Sequence, residues 1–163
     1  MSQIVILVLE DEPEVRDAVI RDLDPFTGTF PVEATEDADD ARQVIAELHS
    51  RGDVVGLILC DHLLPGLRGT DFLVELDRDP ETTSMRKILL TGQAGHDDTI
   101  RAINDGGLDH YVAKPWAPDE LQRVVRDQLT EFVLAEADDL LPYVNTLDGS
   151  RLLEEISNRG WDR

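Results

Sequence analysis

The chain has 163 residues, 41% of them hydrophobic and 31% charged, enough for one domain with a proper core plus a modest extension. Its 35 acids against 15 bases leave a net charge of −20, which repels nucleic acid, whose binding rests on phosphate neutralisation, and favours protein partners. No apolar run reaches membrane-spanning length, the N-terminal MSQIVILVLEDE lacks a basic leader, and the lone Cys60 excludes an internal disulfide framework. A cytoplasmic protein is expected.

In chain order, Ile4 to Leu9 (IVILVL) reads as a buried strand ending in the acidic cluster Glu10-Asp11-Glu12. Pro13 suits the first position of a helix, and acids there are favoured by its dipole. Val15, Val19 and Leu23 give that helix an apolar stripe, and Asp24-Pro25 stops it. Phe30 to Ala34 reads as a second strand. Asp37 or its neighbouring acids cap a helix running to about His49, and Arg51-Gly52-Asp53 is a turn. The run VVGLILC then ends abruptly at Asp61, followed by turn residues Pro65, Gly66 and Gly69.

A helix opening at Gly69-Thr70 carries Phe72, Leu73 and Leu76 and ends before Pro80. Lys87 to Thr91 (KILLT) is a fourth strand, followed by a helix with Ile100 and Ile103 and a C-cap signal at Asn104 to Gly107. Asp109 to Ala113 is a fifth strand, delivering Lys114-Pro115, and Pro118 to Ala135 is a long helix. Strand and helix alternate five times, which predicts an α/β fold with a doubly wound five-stranded parallel sheet covered on both faces. Glu10, Asp11, Asp61, Thr91 and Lys114 all fall at strand C-terminal ends, the edge where ligands bind in open α/β sheets. Taken alone, Asp61 reads better as an acid that merely starts a loop; the coincidence of five such positions is what singles it out.

The segments ILVLEDEP, CDHLLPGLRG, LLTGQAG and HYVAKPW, in this order and spacing, resemble the receiver domain of two-component response regulators (CheY-like), over about residues 3 to 130. The resemblance implies a flavodoxin-like strand order 2-1-3-4-5 and a signalling domain, not an enzyme acting on an external substrate. It implies Asp61 as the nucleophile and phosphorylation site, served by a sensor histidine kinase or phosphotransfer protein. Glu10 and Asp11, with Asp61 and the backbone carbonyl of Leu63, would hold Mg2+, a hard cation that takes oxygen ligands. Lys114 would pair with phosphoryl oxygens, and its bond to Pro115 is expected to be cis. Thr91 would hydrogen-bond the phosphoryl group, and Tyr111 matches the aromatic switch that turns inward when that threonine moves. The readout would lie on the fourth helix, fifth strand and fifth helix, facing a downstream protein or effector domain.

Departures from the family pattern are Glu10 in place of the usual aspartate and Gly92 after Thr91. Leu63 and Gln93 lie near the path of a hydrolytic water in related domains, which bears on phosphate lifetime. Cys60 should point away from the site as a small buried residue. The four histidines show no metal-ligand spacing. Trp116 has two readings, part of a partner surface or packing beside the site, and Tyr111 has an alternative as an ordinary half-buried strand aromatic.

The division expected is a phosphoacceptor domain at 1–135 and a short acidic extension at 136–163, helical in part, acting as a dimer contact or linker. Seven acids and three arginines make that extension hostile to DNA, and it is too short for a helix-turn-helix module. Its apolar bursts, Leu140-Leu141 with Tyr143-Val144 and Leu152-Leu153 with Ile156, would bury against the receiver, a second copy or another domain. Three other functions compete. A non-phosphorylated pseudo-receiver, binding only, conflicts with the intact Asp61, Thr91 and Lys114. A magnesium-dependent phosphohydrolase would want a carboxylate where Leu63 stands. A DNA-binding regulator conflicts with the charge.

Overall fold

Three buried strands form the centre of the molecule: β1 (Ile4–Leu9), wholly apolar, β3 (Val54–Asp61), apolar up to its closing acid, and β6 (Arg86–Thr91), whose apolar middle lies between polar ends. The computed structural model describes residues 2–92 and 107–161. β2 (Val32–Thr35) and β7 (His110–Ala113) flank the three, and all pairings in this sheet are parallel, in the order β2-β1-β3-β6-β7. A two-stranded antiparallel hairpin, β4 (Leu63–Leu64) with β5 (Leu67–Arg68), follows β3. Setting that hairpin aside, the order is the expected 2-1-3-4-5. The hairpin is an addition: Gly66 takes φ 72°, a left-handed conformation that suits glycine, in the turn between Leu63-Leu64 and Leu67-Arg68.

Because a parallel sheet is covered on both faces, alternate side chains of one strand enter two separate cores. Ile6, Val8, Leu57, Leu59, Ile88 and Leu90 point to one face. There they meet α1 (Pro13–Asp22) and α4 (Pro118–Glu136) through Val19, Leu121, Val125 and Leu129. Val5, Leu7, Leu9, Ile58, Cys60 and Leu89 point to the other face. α2 (Ala38–Ser50) and α3 (Gly69–Arg78) cover that side with Ala41, Leu48, Phe72 and Leu76. Local signals match these helices. Pro13 opens α1, and the Asp37 side chain accepts the Asp40 N–H at 2.7 Å to cap α2.

The second strand is displaced from its expected position. It runs from Val32 to Thr35, while Phe30 lies in the preceding turn with its N–H donating to the Phe26 carbonyl at 2.8 Å. Phe30 is apolar because its ring plugs the α1 side of the core, stacked on Tyr143 with centroids 5.6 Å apart. The expected helix with Ile100 and Ile103, its C-cap at Asn104 to Gly106, and the positions of Gln93 and His96 lie outside the described residues.

After α4 the chain folds back on the core of the sheet. A 3-10 turn (Leu141–Tyr143) leads into α5 (Gly149–Trp161), so one of the two apolar bursts is helical and the other is a tight turn. Leu140, Leu147 and Leu152 are buried in the same core as Phe26, Phe30 and Leu129. Polar links join the same surfaces: Thr29 to Thr146 at 2.8 Å, Asp148 N–H to the Thr130 hydroxyl at 3.2 Å, and Arg151 to Glu131. The Arg159 guanidinium donates to the carbonyls of Leu134 and Ala137 at 3.1 Å each, placing a cation on the C-terminal end of α4 where its dipole is negative.

Candidate functional site

The C-terminal ends of four parallel strands meet around one carboxylate. Asp61 closes β3 and is 5% exposed; Glu10, directly after β1, is fully buried; Thr91 ends β6, buried; Lys114 follows β7. The site lies where β1 and β3 pair, the point at which strand order reverses and the crossovers leave a crevice. Backbone bonds set the loops around it. Glu10 N–H donates to the Thr35 carbonyl at 3.0 Å, His62 N–H to Leu90 at 2.9 Å, and Lys114 N–H to Thr91 at 2.8 Å. The Arg16 guanidinium donates to the Glu10 carbonyl at 2.9 Å, tying α1 to the same turn.

Lys114 Nζ donates to Asp61 Oδ1 at 2.7 Å and reaches Glu10 Oε1 at 3.4 Å. Burial alone would push this ammonium's pKa down, but the two carboxylates more than reverse it, so Lys114 is held above the ordinary lysine value and stays charged. Glu10 moves the other way. Burial first, then the hydrogen bond and charge of Asp61, push its carboxyl from 4.5 up to about 8, with Lys114 opposing. The Lys114–Pro115 peptide is cis.

Glu10, Asp11 and Asp61 each offer an oxygen within 4.8 Å of the others. Glu10 Oε2 is buried and makes no hydrogen bond within the described structure. A buried carboxylate oxygen without a donor is costly, and a divalent cation among the three acids would satisfy it. The donor set is all oxygen, which fits a hard ion such as Mg2+. Leu63, two residues beyond Asp61, lies in β4 and is 70% exposed.

The remaining sequence candidates separate from this cluster. Tyr111, in β7 opposite Leu89, is about half exposed and stacks on His110 with centroids 6.3 Å apart. Cys60 faces the α2–α3 core, fully buried, its thiol pushed up by burial and by the Asp61 and Glu10 charges. It is a packing residue, as its strand position implied. Trp116 is partly buried and packs beside the site: its indole Nε1–H donates to Asp22 Oδ2 at 2.7 Å. That bond joins residues 94 apart in sequence, and no local pattern announces it. Asp22, 5% exposed at the end of α1, is the site-side residue that the sequence did not reveal. The chain's other lysine, Lys87, lies at the opposite end of the sheet, buried and bonded to the Met85 carbonyl at 2.8 Å.

Comparison with known proteins agrees with this geometry. The family model of the response regulator receiver domain matches residues 6–126. The hydrogenase transcriptional regulatory protein HoxA of Cupriavidus necator is 37% identical over 126 residues, which is 77% of this chain and 24% of HoxA. The chain thus spans about a quarter of that relative's length. A CheY-like response regulator receiver domain protein from Methanospirillum hungatei JF-1 superposes with a TM-score of 0.67 at 26% identity, covering 80% of this chain and 97% of that one. The receiver domain of the sensor histidine kinase PA1611 from Pseudomonas aeruginosa PAO1, whose active site cleft coordinates a magnesium ion, has the same fold at a TM-score of 0.65 and 24% identity, covering 79% and 99%.

Proposed function

This chain belongs to the response regulator receiver domain family, and from that premise we propose that it accepts a phosphoryl group on Asp61. The donor would be the phosphohistidine of a sensor histidine kinase or phosphotransfer protein. The observation that carries the reading is the 2.7 Å contact of Lys114 Nζ with Asp61 Oδ1 inside a buried acidic cluster at the sheet's C-terminal edge.

The chemistry follows from what phosphoryl transfer requires. The protein supplies an oxygen nucleophile, in-line positioning and neutralisation of charge. An Asp61 oxygen bonds to phosphorus as the phosphorus–nitrogen bond to the donor imidazole breaks, and the imidazole leaves with that electron pair. β3 fixes Asp61 with its backbone inside the ladder, so the nucleophile is held without loop entropy. Lys114, kept cationic, is placed to pair with a phosphoryl oxygen as the Asp61 carboxylate becomes an acyl phosphate. The Thr91 hydroxyl is assigned to hydrogen-bond that group once formed. Glu10, Asp11, Asp61 and the Leu63 carbonyl would hold Mg2+, which supplies charge neutralisation at the phosphoryl oxygens. The unbonded Glu10 Oε2 supports that assignment.

The new dianionic group would draw Thr91 toward it, and the half-exposed Tyr111 would turn inward to fill the space, changing the surface on β7 and α4. A net charge of −20 directs that surface to a protein, either a downstream target, an effector domain or a second copy. The reading places the protein in the cytoplasm, where the phosphodonor resides and where a single reduced thiol is stable.

Intact mass after incubation with acetyl phosphate and Mg2+ tests the proposal. One phosphoryl adduct, lost in Asp61→Asn and lost without the metal, is the expected result. No adduct under any condition would leave a binding-only module in its place.

A further inference from the structure

Lys114 is carried by a short loop, Lys114-Pro115-Trp116-Ala117-Pro118, whose two prolines restrict its backbone. On the α1 side Trp116 packs against the core, but the rest of the loop borders an open groove. This cavity of about 460 Å3 is lined by Val15, Ala18, Lys114, Pro115 and Trp116, among others. Across that gap, among the described residues, two hydrogen bonds reach from this region to α1, and both end on Asp22. Trp116 Nε1 donates to Asp22 Oδ2 at 2.7 Å, and the Gln122 amide donates to the Asp22 carbonyl at 3.0 Å.

Asp22 is an unusual residue to bury at the end of a helix. A carboxylate is unfavourable near a helix C-terminus and costly to desolvate. Its cation neighbour, Arg21 at 3.4 Å, is 73% exposed and well screened by solvent. The partly buried indole bond is therefore the main local compensation for an otherwise unfavourable group. Resting on the phosphoacceptor reading above, we infer that Asp22 and Trp116 are positioning residues for Lys114. Their bond pins the Lys114 loop to the end of α1 and holds the ammonium on the Asp61 carboxylate.

α1 is thus tied to the site at two places, by Arg16 to the Glu10 carbonyl and by Asp22 to Trp116. Loss of the indole donor lets the loop move into the cavity, and Lys114 moves with it. A displacement of about 1 Å at a catalytic group costs up to about 100-fold in rate, so partial loosening is expected to cost about tenfold.

The test is a double-mutant cycle on the full chain, reading the rate of adduct formation from acetyl phosphate with Mg2+. Trp116→Phe keeps the apolar wall and removes only the donor; Lys114→Ala removes the group being positioned. The expected result is about a tenfold slower Trp116→Phe, with no further loss when Trp116→Phe is added to Lys114→Ala. A purely structural role would slow both backgrounds by the same factor, and that outcome overturns the inference. So does a Trp116→Phe rate equal to wild type, whatever its thermal stability. Should Trp116→Phe fail to fold, Asp22→Asn, of equal size and a weaker acceptor, is read in the same cycle. A wild type that forms no adduct overturns the phosphoacceptor reading, and this inference with it. A wild type that does, matched by its variants, overturns the positioning role alone.

Discussion

Gly69 offers the sharpest test of how the nucleophile is held. It opens α3, fully packed, and its N–H donates to the His62 carbonyl at 2.7 Å. A Cβ at this position would press on the Asp61 carbonyl oxygen well inside contact distance, with the Asp61 carbonyl carbon at 2.9 Å and the His62 Cα at 3.1 Å. All three are backbone atoms, so no side chain can rotate away. Relief of the overlap in Gly69→Ala requires α3 and the end of β3 to separate by about 1 Å, since carbon contacts settle near 3.5 Å. Overpacking of a tight interior typically costs about 1–3 kcal/mol, or roughly 3–10 °C in melting temperature for a chain this size. The same movement displaces the Asp61 carboxylate from Lys114, for which about a 100-fold slower phosphorylation is expected. Thermal unfolding and the acetyl phosphate rate are measured on the same sample. A variant with wild-type melting temperature and rate would refute the claim that backbone contact at Gly69 sets the position of the nucleophile.

The raised Glu10 carboxyl predicts a pH effect with a definite sign. A group lifted from 4.5 to about 8 on folding stabilises the fold fully below the unfolded value and loses that contribution as pH rises through about 8. At about 1.4 kcal/mol per unit, the cation-free protein should lose roughly 3–5 kcal/mol between pH 4.5 and pH 8, and millimolar Mg2+ should restore much of it. Melting curves of Glu10→Gln should lack this slope; a wild-type slope no steeper than that of the variant would count against the burial argument. Leu152, fully buried between α5 and the α1–α4 core, should cost about 2–5 kcal/mol as Leu152→Ala by chemical denaturation. An unchanged midpoint there would mean that residues 138–161 do not share the receiver's core in solution. Cys60, fully buried and held in its thiol form, should react with a thiol reagent only as fast as the protein unfolds. Rapid modification of the native state would contradict its packing role.

Strand positions were legible because a parallel sheet buries both faces, so IVILVL and VVGLILC stand out as unbroken apolar runs against a strongly charged background. The acids, Thr91 and Lys114 were legible for a related reason: each ends such a run, and parallel strands bring their C-terminal ends to one edge. Phe30 misled because an aromatic ring that plugs a core from a turn has the same composition as one in a strand. Leu63 and Leu67 gave no warning of the β4–β5 hairpin, whose pairs are too short to show any periodicity.

The parallel α/β architecture and the polar residues at its strand ends were thus legible from patterns repeated along the chain, while the family and the sheet order were legible only through the resemblance of four motifs. Three things were decided only in the folded molecule. Trp116 finds Asp22, Lys114 reaches both Glu10 and Asp61, and Leu140, Leu147 and Leu152 close back over Phe30. Each is a contact between single residues far apart in the chain, made through packing and desolvation. Such energies depend on where surfaces meet, and no local period of the sequence encodes them.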